Sequence, residues 1–411
     1  MDYEVLIVGG RVAGSSLALL LARRGHRVLV VDRDEFPSDT LSTHLMIPMA
    51  VGMLADLGVL ADIEAAGFRR IGRHRTWIDD CCFEAPAGPG GAFSLAPRRA
   101  VLDSVLIDHA VAAGAEFLQR TRAESLIQEQ SRVVGAVVRP AGGEPRPVRA
   151  DVVVGADGRQ SRVAQWVGAE KYLEVPALRP AYYGYYRGLE PLPETALEMW
   201  FGGDQIGFVF PMRPDEDCLA LELQPEQFDS FRRHPQEVFE ERFRALPGME
   251  RRMRGAVLEG RLLGTRGIDN FFRKPFGPGW ALTGDAGYLK DPSTGMGLGD
   301  ALRQSQMLAE SLHDWFGGAD WEQTMSAFQQ RRDEVMLPTY QATLAHTKMR
   351  DQSAEEVAWI KAVLVSPGLT RALAHALPGL LPQAFPEGAM RQVAGLARMF
   401  GAPQQEPEAV G

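Results

Sequence analysis

Apolar runs bounded by glycine divide the start of the chain into strand, turn, helix and strand. Val5–Val8 is an unbroken apolar run, the pattern of a strand buried on both faces. A helix from about Ala13 to Arg24 follows, with Gly25 where a helix C-terminus calls for glycine. Arg27–Val31 is the second strand and leads into Asp32. This is a βαβ unit. Further on, Met49–Ala66 reads as one helix, Arg73–Asp79 as a strand, and Val101–Ala113 as a helix with Val101, Leu102, Val105, Leu106 and Ala110 on one face. Val133–Pro140 and Arg146–Ala150 form a hairpin about Gly142–Gly143, and Val152–Val154 is another buried strand.

The pattern changes after about residue 175. Ala181–Leu189, Ala196–Gly202, Gly207–Met212 and Cys218–Leu223 read as antiparallel strands that concentrate the aromatics, with a helix over Gln236–Ala245. By the period of two, Tyr183 and Tyr185 share a face, and Tyr182 and Tyr186 the other. Trp280–Thr283 is a last strand before a long helix, Gly297–Phe316. The remainder reads as helical, with breaks at Pro338, Pro367, Pro378, Pro382 and Pro386 and a frayed end over Gln404–Gly411.

Composition narrows the function classes. At 411 residues, 45% apolar and 24% charged, the chain is globular and long enough for two domains or one with an insertion. A net charge of −9 argues against a general nucleic-acid binder. Three cysteines (Cys81, Cys82, Cys218) make neither a disulfide framework nor a metal motif, which fits a cytoplasmic protein without a metal site. No apolar stretch is long enough to predict a transmembrane segment, and the N-terminus lacks the basic start of a signal peptide.

Three segments carry candidate chemistry. Gly9-Gly10-Arg11-Val12-Ala13-Gly14 lies between strand and helix, as a dinucleotide fingerprint does, but Arg11 stands where that fingerprint has its middle glycine. Asp32, with Arg33 beside it, ends the second strand where a carboxylate accepts ribose hydroxyls. Asp157-Gly158 follows a buried strand and opens a helix; an ordinary capped turn has the same pattern. Gly284-Asp285 ends the last strand, and Pro292, Gly295, Met296 and Gly297 lead into the long helix, whose N–H groups face outward.

The order of these motifs resembles FAD-dependent oxidoreductases of the p-hydroxybenzoate hydroxylase fold. That superfamily includes class A flavoprotein monooxygenases, geranylgeranyl-reductase-like enzymes and flavin-dependent halogenases. The resemblance covers roughly residues 1–345. It implies an α/β protein: a Rossmann-like FAD-binding domain (1–72, 98–174 and 265–318), an inserted antiparallel substrate sheet (73–97 and 175–264) and a C-terminal helical region (319–411). Carried over by position, Gly9, Gly10, Arg11, Val12, Ala13, Gly14, Asp32 and Arg33 would hold the ADP half of FAD. Arg99, in Arg99-x-x-Leu102-x-x-x-Leu106, matches the family's flavin-contacting arginine. Asp157 would help hold FAD, and Gly284 and Asp285 would bind the ribityl or pyrophosphate region. Pro292, Gly295, Met296 and Gly297 would face the flavin pyrimidine. Tyr288 stands where relatives often have histidine. Ser42, Thr43 and His44 are candidates for flavin contact, though a polar loop capping the next helix reads the same way.

The resemblance further implies NAD(P)H as electron donor, O2 as co-substrate and a small apolar molecule, aromatic or polyketide-like, as substrate. Tyr183, Tyr185, Trp200, Phe208 and Phe210 are the candidate substrate residues; packing between elements explains such aromatic stripes equally well. The expected activity is hydroxylation or epoxidation in secondary metabolism. A geranylgeranyl-type reductase, a flavin oxidase or halogenase, and a non-catalytic prenyl- or lipid-binding carrier are the alternatives. Tryptophan-type halogenases carry a Trp-x-Trp-x-x-Pro signature and a lysine some seventy residues after the first motif. This chain has neither, its first lysine being Lys171.

Overall fold

The computed structural model describes residues 2–78, 81–202 and 204–347. Along the chain come β1 (Tyr3–Val8), α1 (Val12–Ala22), β2 (Val28–Val31), α2 (Pro48–Asp56), α3 (Leu60–Ala65), β3 (Arg73–Ile78) and β4 (Cys81–Pro86). Next are α4 (Arg99–Ala112), β5 (Glu116–Leu118), β6 (Thr121–Glu129), β7 (Arg132–Pro140), β8 (Arg146–Gly155), α5 (Arg162–Trp166) and β9 (Lys171–Val175). Then follow β10 (Ala181–Arg187), β11 (Ala196–Gly202), β12 (Gln205–Arg213), β13 (Glu216–Leu223), α6 (Phe228–Phe231), α7 (Pro235–Arg244), α8 (Met249–Arg252) and β14 (Val257–Thr265). The last elements are β15 (Asn270–Arg273), β16 (Phe276–Gly277), β17 (Trp280–Leu282), β18 (Tyr288–Leu289), α9 (Gly297–Phe316) and α10 (Trp321–Thr347).

These elements form two compact units. Among the described residues the first comprises those up to Phe68, Ala96–Ala177 and Ile268–Thr339; the second comprises Arg69–Leu95, Leu178–Gly267 and residues 340–347. In the first unit the main sheet runs β16-β17-β8-β1-β2-β5, with the β6–β7 hairpin attached through β8. Strands β17, β8, β1, β2 and β5 pair in parallel. Strands buried on both faces need no alternation, so Val5–Ile7, Val28–Val31 and Val152–Val154 are all enclosed. Leu6, Leu29, Val153, Val163, Leu282 and Ala286 belong to one core. Parallel pairing brings the C-terminal ends of β1, β8 and β17 to one sheet edge, where open α/β sheets bind ligands.

The second unit holds a seven-stranded sheet, β14-β10-β13-β12-β11-β3-β4. It is antiparallel except that β3 pairs in parallel with β11. Helices α6–α8 contribute Phe231, Phe239, Phe243 and Met249 to a core that also takes in Tyr186, Trp200, Leu219 and Leu221 of the sheet. These strand residues lie on one face, so the helices cover that face.

Two sequence expectations are corrected. Met49–Ala66 is two helices, because Gly58 takes a left-handed φ of +69° that ends α2. Pro338 does not break its helix; α10 continues through it to Thr347. The breaks expected at Pro367, Pro378, Pro382 and Pro386 and the frayed end lie outside the described residues. Among the described residues no helix is long and apolar enough to cross a membrane.

Candidate active site

The fingerprint turn is built by two glycines. Gly9 has φ +108°, and a side chain there would strike the Ala156 carbonyl. A Cβ on Gly14 would lie 1.8 Å from the Gly9 oxygen, so helix and strand pack this closely only with glycine. Arg11, by contrast, has φ −84° and ψ −170°, a conformation open to any residue. This is why the turn forms without its middle glycine. Helix α1 starts with no side-chain cap and no acid in its first turn, although Val12, Ala13 and Gly14 are buried. A buried, uncapped helix start leaves N–H donors and a positive dipole end directed at an anion.

Asp32 is buried, and its carboxylate accepts N–H bonds from Gly10 (2.7 Å) and Asp34 (2.8 Å). Burial raises its carboxyl, and these bonds oppose the rise. Arg33 points to solvent, its side chain 81% exposed and 3.8 Å from Asp34. The Arg11 guanidinium bends away from the turn to Asp103 (2.8 Å), Asp34 (2.9 Å) and Ser38. Arg99 opens α4, is buried, and grips the same Asp103 through Nε and Nη2.

Asp157 is placed as a helix cap. Its carboxylate accepts from the Ser161 hydroxyl (2.5 Å) and the N–H groups of Arg162 (2.7 Å) and Val163 (3.2 Å). That geometry orders the loop after β8, which Gly9 touches. Asp285 is different: it is exposed to solvent, yet protein atoms surround it. A side chain both accessible and enclosed lines a concavity. Desolvation pushes its carboxyl up to about 6, opposed by Arg99 and reinforced by Asp300.

Close approaches assemble the remaining segments. Cβ on Gly284 would lie 2.7 Å from Ala13 Cβ, which fixes the Gly-Asp turn against α1. Gly295 has φ +64°, and a Cβ there would meet Leu45 at 2.9 Å, so the turn before α9 lies against Leu45, the residue after Ser42–His44. Met296 and Gly297 start α9, with open space before Gly297. Pro292 begins the short turn ahead of them. His44 is buried; desolvation, with Arg99 and Arg98 adding to it, lowers its ring to about 3, so it stays neutral at working pH. Ser42 and Thr43 are half-buried, and the Ser42 hydroxyl donates to the Thr43 carbonyl.

The back of the Asp285 turn is held by two arginines that sequence reasoning missed. Arg273 donates to the carbonyls of Ala286 through its side chain (3.1 Å) and Gly287 through its backbone (2.9 Å). Arg332 of α10, fully buried, donates to the Gly287 carbonyl (3.3 Å), the Arg273 carbonyl (3.0 Å), the Tyr172 hydroxyl (2.7 Å) and Asp333 (2.7 Å). Nothing local in the sequence marks either residue.

In the second unit, register sorts the aromatic candidates. Phe208 opposes Ala220, which opposes Tyr183; Phe210 opposes Cys218, which opposes Tyr185. These four share the face away from α6–α8. Phe208 and Phe210 stack at 5.5 Å, and Tyr183 and Tyr185 meet edge-on at 5.8 Å. Trp200 does not join them. It opposes Gly207 and lies on the helix-covered face, parallel to Trp77 at 6.5 Å, with its indole N–H on the Pro247 carbonyl. Its assignment to the same wall is therefore corrected: it is a core residue.

A parallel sheet whose strand ends meet an uncapped helix start, a ribose-type carboxylate and a glycine-opened second helix defines a dinucleotide-binding oxidoreductase. The chain belongs to the FAD binding domain family, whose model matches residues 2–343. It is 26% identical to the digeranylgeranylglycerophospholipid reductase of Methanosarcina acetivorans, over 77% of each chain. Over 40% of each chain it is 34% identical to the 6-methylpretetramide 4-monooxygenase of Streptomyces rimosus. Its fold matches the flavin-dependent brominase Bmp2 with TM-score 0.80 and 21% identity, covering 96% of this chain and 98% of that one. The protein is thus an FAD-dependent oxidoreductase of the p-hydroxybenzoate hydroxylase-like superfamily. The residues present fit FAD: free helix N–H groups, a turn that only glycine allows, and an accessible carboxylate in a concavity.

Proposed function

We propose that this protein is an NAD(P)H-dependent monooxygenase acting on a small apolar aromatic or polyketide-like molecule. Bound FAD, once reduced, supplies the activation of O2. The chain's own residues bind and orient. Asp32 would accept hydrogen bonds from hydroxyls of the adenosine ribose, and the N–H groups of Val12, Ala13 and Gly14 would bind the pyrophosphate. Asp285 would accept a hydrogen bond from a ribityl hydroxyl, and Arg99 and the N–H groups at Gly295–Gly297 would stabilise the negative charge of reduced flavin. Ser42, Thr43 and neutral His44 immediately precede Leu45, against which that turn packs. Asp157 acts by ordering its loop.

The observation that carries the substrate class is the aromatic wall of Tyr183, Tyr185, Phe208 and Phe210, all buried, on the sheet face opposite α6–α8. An apolar ring stacks on such a wall with little desolvation. The lysines favour oxygenation over halogenation. Lys290 is buried and paired with Asp300 at 2.8 Å, Lys171 pairs with Glu174, and Lys274 lies 5.5 Å from the Phe276 ring. None of these follows the fingerprint at halogenase spacing.

The test is anaerobic reduction of the FAD-loaded protein by NADH or NADPH, followed by labelled O2 with a panel of neutral polycyclic phenols, indole and kynurenine. Bleaching of the flavin and transfer of one labelled oxygen atom to an arene is the expected result. A halogenated product that forms only when bromide or chloride is present would overturn it. So would reduction of a geranylgeranyl double bond with no oxygen transfer.

A further inference from the structure

The arginine inside the fingerprint has a structural role of its own. Its backbone is relaxed, so the side chain is not a tolerated defect in the turn. The guanidinium instead joins three chain segments. Nη1 donates to Asp103 Oδ2 (2.8 Å) on α4 and to the Ser38 carbonyl (3.0 Å). Nη2 donates to Asp34 Oδ2 (2.9 Å) and Ser38 Oγ (3.1 Å). Its carbon lies 5.2 Å from the Phe36 ring.

Asp103 is the centre of this arrangement. Its side chain has no exposed surface, and it carries two guanidiniums at once. Arg99 contacts both of its oxygens from one helical turn away, at 3.0 to 3.1 Å. An i,i+4 pair on one helix leaves Arg99 free to swing with its partner; a second cation from the fingerprint fixes the carboxylate that Arg99 grips. The contacts thus run from the fingerprint turn through Asp103 to Arg99.

We propose that Arg11 is a positioning residue for the flavin: through Asp103 it orients Arg99, and through Asp34 and Ser38 it holds the loop after Asp32. The proposal rests on the reading above that Arg99 and Asp32 meet FAD. It makes a counterintuitive statement. Restoring the fingerprint glycine harms the site, because it frees a buried carboxylate and two loop anchors.

The experiment measures FAD affinity, by quenching of flavin fluorescence on rebinding to the stripped protein, and the visible spectrum of the bound flavin. The variants are Arg11→Gly, Arg11→Lys, Asp103→Asn, Arg99→Met and the Arg11→Gly/Asp103→Asn double. Arg11→Gly is expected to weaken FAD binding by about tenfold or more, since two charge-assisted contacts are lost. Asp103→Asn weakens it to a similar degree, and the double variant is no worse than the poorer single, the mark of one shared route. Both singles shift the flavin spectrum alike. Arg11→Lys keeps the charge but not the fork, so it recovers affinity only partly. Should Arg11→Gly not fold, Arg11→Lys and Asp103→Asn carry the same comparison. Wild-type or tighter affinity in Arg11→Gly overturns the proposal. So do multiplying losses in the double variant, which mean that Arg11 acts independently of Asp103. Wild-type affinity in Arg99→Met would instead sink the assignment of Arg99 to the flavin, and the route through it.

Discussion

Replacing Arg332 by methionine tests whether the Asp285 turn is held from behind. Methionine fills similar space without charge or donors. The guanidinium now supplies five contacts, to the carbonyls of Gly287 and Arg273, the Tyr172 hydroxyl and twice to Asp333, from a side chain with no exposed surface. Not all are lost at full value. Gly287 keeps the Arg273 N–H at 2.9 Å, and Asp333, 29% exposed, regains water. Tyr172 still donates to Asp333. The Arg273 carbonyl loses a charged donor in a buried setting, which costs about 1–3 kcal/mol, and the charge-assisted bond to Tyr172 is lost besides. Relief from burying the guanidinium offsets part of this. A net loss of about 3–4 kcal/mol is expected, within the range for breaking a buried charged network. Urea unfolding of wild type and variant, each saturated with FAD, measures it. A loss below about 1 kcal/mol would show that the network is replaceable by packing and refute the reasoning. Arg332→Lys keeps the charge but lacks the fork, and is expected to fall between the two.

Four further outcomes follow from the same geometry. Gly14→Ala forces a Cβ to 1.8 Å from the Gly9 oxygen, so α1 must leave the strand; FAD is absent from the purified variant, as its spectrum will show. Asp285 is raised to about 6 from an ordinary 3.8, so its contribution to stability is full below pH 4 and is lost as pH rises through 6. Asp285→Asn should therefore raise the melting temperature of the FAD-free protein at pH 7 and flatten its rise between pH 6 and 4; Asp217, also raised to about 6, needs Asp217→Asn as the control. Phe210→Ala should raise the KM of an aromatic substrate roughly tenfold and leave FAD affinity unchanged, because one stacking partner is lost. Trp200→Ala should lower stability by about 3–5 kcal/mol without that KM effect, since it lies on the helix-covered face.

Local signals were readable along the chain, and long-range ones were not. The βαβ unit follows from apolar runs and two glycines, and Gly297–Phe316 forms the helix expected of it. Gly58 escaped notice because Leu54, Leu57, Val59 and Leu60 continue an apolar pattern across it, and only its left-handed φ separates α2 from α3. The face of Trp200 relative to Tyr183 depends on register across β11, β12, β13 and β10, which alternation within one strand does not specify. Likewise Arg11 reads as a departure from a motif until its partner, 92 positions away, is seen. Arg332 reads as one more charge on a helix, although it is buried without exposed surface.

The interleaving of the two units has a consequence for how the protein is made. On the ribosome, β8 is synthesised early, but its parallel partner β17 emerges only after β10–β14 are complete. The nascent chain therefore carries an open, apolar strand at Val152–Val154 while β10–β14 of the second sheet are being translated. The fingerprint exists from the first residues, yet the Gly-Asp turn and α9 arrive only after the second sheet, so cofactor capture waits for the late part of synthesis. Premature termination between β14 and β17 yields a chain that holds every strand of the second sheet and an unclosed first sheet, a species prone to aggregate rather than a smaller working protein.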